Sequence, residues 1–164
     1  MPPLQPPDTH HLSAATGWIE LGNAAEAHAE LAHITPSLQS HPDVLEVRWQ
    51  ILAKEKNWEA CVDLANGMVL DDFNNSFGWI HRSYALHELK RTQEAFDHLE
   101  TAVALFPNSW HVRYNLACYC CQLKRLPEAQ KWLAESLKLG DAKAIKQMAA
   151  EDPDLEPLRA IIEK

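Results

Sequence analysis

Apolar and small residues recur along this chain with the spacing of helix faces. The segments RTQEAFDHLETAVALFP, from Arg91, and RLPEAQKWLAESLKLGD, from Arg125, align without gaps at an offset of 34 residues. The same offset finds two weaker upstream copies, NWEACVDLANGMV and NAAEAHAELAHI. In each copy a small residue is followed four and seven positions later by further apolar or small residues, which is the spacing of one helix face. The three positions are, copy by copy, Ala27, Leu31 and Ile34; Cys61, Ala65 and Met68; Ala95, Leu99 and Ala102; Ala129, Leu133 and Ser136.

A second helix is predicted upstream of each of these. Nine residues before the small position stand, in turn, Trp18, Leu52, Leu86 and Cys120, and a tight turn follows each of them. The pattern predicts four helix–turn–helix repeats at 8–41, 42–75, 76–109 and 110–143, after a Pro-rich lead-in at 1–7. Because one such hairpin cannot bury its apolar face alone, the four repeats are expected to stack on their neighbours.

The last segment, 144–164, is predicted to be a C-terminal cap. A stacked array needs its final apolar face covered by an element with a polar outer side. Ala142 to Ala150 has the pattern of a helix, and Pro153 begins another segment with four apolar residues: Leu155, Leu158, Ile161 and Ile162. These residues are expected to cover the exposed end of the fourth repeat.

A helix–turn–helix unit of this length resembles the tetratricopeptide repeat. The third unit fits best, with the residues Trp79, Ser83, Leu86, Ala95, Leu99, Ala102 and Pro107 at that family's Trp, small, apolar, Ala and Pro positions. The chain departs from the family pattern at Trp49, where a small residue is usual, and at Arg113, where an apolar one is usual. The resemblance implies an all-α, right-handed superhelical α-solenoid that binds proteins as an adaptor, co-chaperone or assembly factor, and the sequence is similar to bacterial members.

The first helices of the third and fourth repeats carry a second stripe, distinct from the packing face. Its members are spaced 3, 4 and 3 in the third repeat and recur at the offset of 34: Phe77, Ile80, Tyr84 and His87, then His111, Tyr114, Cys118 and Cys121. The resemblance implies that this stripe lines a concave peptide-binding groove, flanked by Asn115 and Gln122. The matching positions are Asp43, Glu46, Gln50 and Ala53 in the second repeat and Thr9, Leu12, Thr16 and Ile19 in the first.

Charge narrows the class of partner. The chain has 15 Lys and Arg against 23 Asp and Glu, a net charge of −8, and its first basic residue of this kind is Arg48. This balance disfavours nucleic acid and anionic membranes. Asp43 and Glu46 favour a peptide with a basic element, and they would repel the C-terminal carboxylate that some tetratricopeptide proteins grip. A protein or peptide partner is therefore predicted, for a chain that is a monomer or a weak homo-oligomer.

The cysteines raise an alternative function. Cys118 and Cys121, together with His87, could bind Zn²⁺ or Cu⁺, but a single CxxC pair in the middle of a helix is a weak metal signal. No phosphate-binding glycine loop, HExxH or GxSxG motif occurs, so we predict no enzyme activity and no cofactor. A metal- or thiol-responsive sensor and a self-associating scaffold remain the alternatives. The N-terminus lacks the pattern of a secretory signal, which favours a cytoplasmic protein.

Overall fold

The computed structural model describes residues 3–162, and side chains over 3–160; Ile161 and Ile162 of the predicted cap therefore lie outside the described side chains. Across this described part the regular structure is entirely helical. The chain divides into two compact units, Met1–Phe73 and Asn74–Lys164. The first unit contains α1 (Asp8–Glu20), α2 (Ala24–His33), α3 (Pro42–Lys54) and α4 (Trp58–Asp71), with a short 3-10 turn at Pro36–Leu38.

The second unit contains two further hairpins and the C-terminal elements. Its helices are α5 (Ser76–Glu88), α6 (Thr92–Leu105), α7 (Trp110–Gln122), α8 (Leu126–Leu139), α9 (Ala142–Glu151) and α10 (Arg159–Ile162), with a 3-10 segment at Pro153–Leu158 between the last two. The first helix of each hairpin begins 34 residues after the previous one, at Asp8, Pro42, Ser76 and Trp110. Local chemistry fixes several of these starts, because Asn57, Asn75 and Ser109 accept hydrogen bonds from backbone N–H groups of the helices they precede.

The recurring helix face forms the core of both units. The small position of each copy is completely buried, with 0% exposure at Ala27, Cys61, Ala95 and Ala129. The residues four and seven positions later are buried in all four copies. A side chain no larger than a thiomethyl at the small position lets two helices approach closely, and the larger residues then fill the space around the crossing. The sequence repeat is thus a repeat of packing.

Each hairpin turn has the same backbone geometry. The turn residue lies in the left-handed region, with φ of 74° at Gly22, 56° at Lys56, 64° at Lys90 and 62° at Lys124. In the third hairpin the Lys90 N–H donates to the carbonyl of His87 and the Arg91 N–H to that of Leu86, at 2.8 and 2.9 Å. These two bonds are the Schellman pattern that ends a helix, and all four hairpins contain them. Glycine occupies the first turn, whereas lysine is sterically strained in the other three.

Replacing Lys90 by glycine is therefore expected to raise the free energy of unfolding by about 1 kcal/mol, because glycine adopts positive φ without a Cβ clash. Lys90→Ala serves as the matched control, since it removes the same side chain and keeps the strain. Gly22→Ala should change stability in the opposite direction by a similar amount. Urea denaturation of the four proteins measures these differences, and a Lys90→Gly variant no more stable than Lys90→Ala would contradict the argument.

Candidate functional site

The first unit has an open groove between α1 and α3. It has a volume of about 410 Å³ and is lined by Pro3, Leu4, Thr9, Leu12, Ser13, Thr16, Asp43, Glu46, Val47 and Gln50. The lining includes Thr9, Leu12 and Thr16 of the first-repeat stripe and Asp43, Glu46 and Gln50 of the second. Ile19, the fourth member of the first stripe, instead packs in the core beside Val47 and Ile51. The groove combines an apolar floor with hydroxyl, amide and carboxylate groups that can bind a polar backbone.

The groove is acidic on the α3 side. Asp43 is exposed and Glu46 is half-buried, one helical turn further along. Burial raises the pKa of Glu46, and the negative charge of Asp43 raises it further. A carboxylate whose charge is disfavoured by desolvation and by a like charge gains from an approaching cation. This part of the predicted groove therefore suits a Lys or Arg side chain.

On α5 the aromatic stripe is partly open to solvent. Phe77 is half-buried and stacks on His81, with 3.6 Å between the ring centroids. Ile80 is half-buried, and Tyr84 is 39% exposed. Burial is the largest cause that raises the pKa of the Tyr84 hydroxyl, followed by the charge of Glu88, a hydrogen bond to Glu88 and the charges of Asp154 and Asp152.

On α7 the stripe is largely covered. His111, at the start of the helix, is exposed and stacks on Trp110, with 3.5 Å between ring centroids. Tyr114, Cys118 and Cys121 are buried, as is His87 at the end of α5, and Asn115 is half-buried. These four buried side chains do not line an open groove in this structure. The sequence pattern placed them on one stripe but gave no sign of what covers them.

The cover is the chain's own C-terminal segment, residues 152–158. The Tyr114 hydroxyl donates to Asp152 Oδ2 at 2.8 Å, and the Cys118 thiol points at the same oxygen at 3.7 Å. His87 Nε2 lies 3.1 Å from Asp154 Oδ2, and the Gln122 side-chain amide donates to the Asp154 carbonyl at 3.3 Å. Because a carboxylate only accepts, the proton of His87 is on Nε2, and Nδ1 accepts from the Thr92 hydroxyl at 2.9 Å.

Apolar burial accompanies these bonds. Leu155 and Leu158 of the segment are completely or almost completely buried, as the predicted cap requires. The packing is incomplete around Leu158, where a cavity of about 80 Å³ is lined by Leu133, Leu137, Ala149 and neighbouring residues. Asp152 also orders the segment itself, since its Oδ1 accepts from the Asp154 N–H at 2.9 Å.

The environment of the thiols disfavours the thiol-responsive alternative. Burial and the nearby carboxylates of Asp152 and Asp154 raise the pKa of Cys118 well above its usual value, and the same causes raise the pKa of Cys121 to about 11. Thiols with raised pKa values are weak nucleophiles and poor metal ligands at neutral pH. Cys118, Cys121 and His87 also do not bring three ligand atoms within the 4.8 Å that groups one candidate metal cluster in the described residues.

That cluster consists of His11, Glu30 and His33 on the first hairpin, which the sequence analysis did not single out. His11 Nδ1 lies 2.8 Å from Glu30 Oε2, and the rings of His11 and His33 stack with centroids 5.2 Å apart. Glu30 and His33 are one helical turn apart on α2, but only folding brings His11 to them from α1. A hydrogen-bonded His–Glu pair at a partly exposed surface accounts for the contact without an ion.

The helical hairpins, their left-handed turns and the concave faces of their first helices define a helical-repeat protein. The tetratricopeptide repeat family model matches residues 86–151. The structure of TTC0263, a thermophilic TPR protein in Thermus thermophilus, superposes with a TM-score of 0.77 at 16% identity, covering 94% of this chain and 82% of that one. MamA from AMB-1 gives a TM-score of 0.60 at 20% identity, covering 79% and 76%. No curated protein sequence matches this chain.

The chain is therefore a tetratricopeptide repeat protein with the all-α solenoid fold of that family. The fold is in general one of protein–protein interaction, and its members are generally non-catalytic scaffolds. Among the described residues, no helix is long and apolar enough to cross a membrane.

Proposed function

We propose that this chain is a non-enzymatic interaction module, an adaptor, co-chaperone or assembly factor, that binds a basic peptide or helix of a partner protein in the groove between α1 and α3. The observation that carries the proposal is the open acidic groove of about 410 Å³. It has room for several side chains of a bound segment, whereas the corresponding face of α7 is covered by residues 152–158.

Charge complementarity supports the basic ligand. A Lys or Arg that enters between Asp43 and Glu46 relieves the repulsion between the two carboxylates and replaces solvent that Glu46 has already partly lost. Thr9, Thr16 and Gln50 supply hydroxyl and amide groups beside the apolar Leu12 and Val47. A ligand that alternates basic and apolar residues satisfies both kinds of lining group.

The probe for this proposal is a fluorescein-labelled, amidated dodecapeptide of alternating Lys and Leu, with the Glu–Leu peptide as its counterpart. We expect the Lys peptide to bind the wild-type chain and to lose about tenfold in affinity to Asp43→Lys/Glu46→Lys, because two attractive charges become repulsive. Raising the salt concentration should also weaken wild-type binding. Fluorescence anisotropy measures all of these affinities.

The matched control is Glu20→Lys/Asp63→Lys, which makes the same change in net charge at two exposed positions of the same unit that do not line the groove. This control should bind the Lys peptide within about threefold of wild type. Equal losses in the two double variants would show that net charge alone attracts the peptide, and the groove would then have no part in binding.

A further inference from the structure

The C-terminal segment, residues 152–158, contacts α5 and α7 as a bound peptide would. Each side-chain hydrogen bond described across this contact has its donor on the helices and its acceptor on the segment: His87, Tyr114, Cys118 and Gln122 face the Asp152 carboxylate, the Asp154 carboxylate and the Asp154 carbonyl. Leu155 and Leu158 then supply the apolar contact. The acceptors are thus held in a face made of neutral donors.

The chemistry of this face differs from that of the α1–α3 groove. In the described part of the stripe on α5 and α7, the groups that touch the segment carry no carboxylate, and two of them, Tyr114 and Cys118, converge on one oxygen of Asp152. Convergent neutral donors in a buried site bind a carboxylate and leave a cation unsatisfied. The basic ligand predicted from Asp43 and Glu46 therefore does not suit this second face.

The attachment of the segment is of modest strength. Two leucines and a few hydrogen bonds favour docking, whereas ordering the segment opposes it. The cavity beside Leu158 indicates that contact with α8 and α9 is incomplete. Pro153 and Pro157 reduce the ordering cost but do not remove it. A covalently attached segment competes at an effective concentration on the order of millimolar, so that even a weak intrinsic ligand occupies its site.

We propose that the face formed by His87, Tyr114, Cys118 and Gln122 is a second binding site, specific for an acidic Asp-x-Asp-Leu segment of a partner protein, and that residues 152–158 occupy it as a built-in competitor. The partner segment replaces the two carboxylates and the first leucine of the chain's own segment. This inference extends the proposed function to a different face, so that either can fail while the other stands.

The test uses the full chain and a labelled peptide of residues 151–160, EDPDLEPLRA. Asp152→Asn/Asp154→Asn weakens the attached segment and leaves the face intact. We expect this variant to bind the peptide at least tenfold more tightly than wild type does, because its competitor is impaired. Glu151→Gln/Glu156→Gln removes the same charge at two exposed positions of the segment region and should behave as wild type. The peptide with both aspartates replaced by asparagine should bind the first variant at least tenfold more weakly.

Fluorescence anisotropy gives the affinities, and circular dichroism establishes that each variant is folded. If Asp152→Asn/Asp154→Asn does not fold, Leu155→Ser takes its place, since it removes the apolar contact and keeps the turn of the segment. Equal affinity for the peptide in wild type and the folded variant, or no binding to either, would overturn the proposal and leave the segment as a structural cap. Concentration-dependent dimers of wild type that disappear in Asp152→Asn/Asp154→Asn would overturn it too, because the ligand would then be a second copy of this chain.

Discussion

Replacing Arg113 by alanine is expected to lower the free energy of unfolding by about 3 kcal/mol. The Arg113 side chain is 8% exposed, and its Nη1 donates to the carbonyls of Phe106 and Ser109, at 3.2 and 3.0 Å. These carbonyls belong to the connection between α6 and α7, where no helical N–H is in position to replace the guanidinium. Removing the donor leaves two buried acceptors unsatisfied, at about 1–3 kcal/mol each, and also removes the packing of the aliphatic stem.

Two controls separate the components of this loss. Arg113→Met keeps most of the stem volume but offers no donor, so it should recover only part of the stability, about 1 kcal/mol. Glu135→Gln removes the partner carboxylate, which lies 3.5 Å from Arg113 Nε and is 34% exposed; the cost should stay below about 1 kcal/mol. Guanidinium denaturation measures all three. An Arg113→Ala variant within about 1 kcal/mol of wild type would mean that solvent reaches the two carbonyls.

Arg113 also illustrates what periodicity can predict. The repeat placed an inward-facing residue at this position, and the family pattern led us to expect an apolar one. The structure buries the residue, in agreement with the pattern, but uses a charged side chain to cap the connection at Phe106 and Ser109. The sequence revealed the position from the offset of 34 residues, whereas the hydrogen bonds depend on the path of a loop that has no periodicity.

The C-terminal segment is a stronger case. Hydrophobic spacing identified Leu155 and Leu158 as buried residues, and both are buried. The stripe that includes Tyr114 and Cys118 was also evident from the offset. The contact between the two, from Asp152 to Tyr114, spans 38 residues along the chain and belongs to neither pattern. Local spacing specifies helix faces, but which face a non-repeating tail covers is decided by tertiary packing.

The pH dependence of stability provides the second large effect, through His81. Desolvation by burial lowers the pKa of His81 to about 4, against the opposing effect of a hydrogen bond to the Phe77 carbonyl; the positive charge of His111 lowers it further. In the unfolded chain a histidine titrates near about 6.5. Between these two values the unfolded state binds more protons than the folded state, so stability falls as the pH falls. The contribution is complete above about pH 6.5 and is lost progressively down to about pH 4.

We therefore expect the difference in unfolding free energy between wild type and His81→Phe to change by about 2–3 kcal/mol from about pH 7 to about pH 4, in the direction that favours the variant in acid. Phenylalanine keeps the stacked contact with Phe77, 3.6 Å between centroids in the wild type, and has no proton to bind. His10→Phe, at an exposed position of α1, is the matched control and should follow wild type across the same range. Urea denaturation at half-unit pH steps measures the three curves. Parallel curves for wild type and His81→Phe would place the imidazole in contact with solvent, because only a desolvated ring resists protonation in this range.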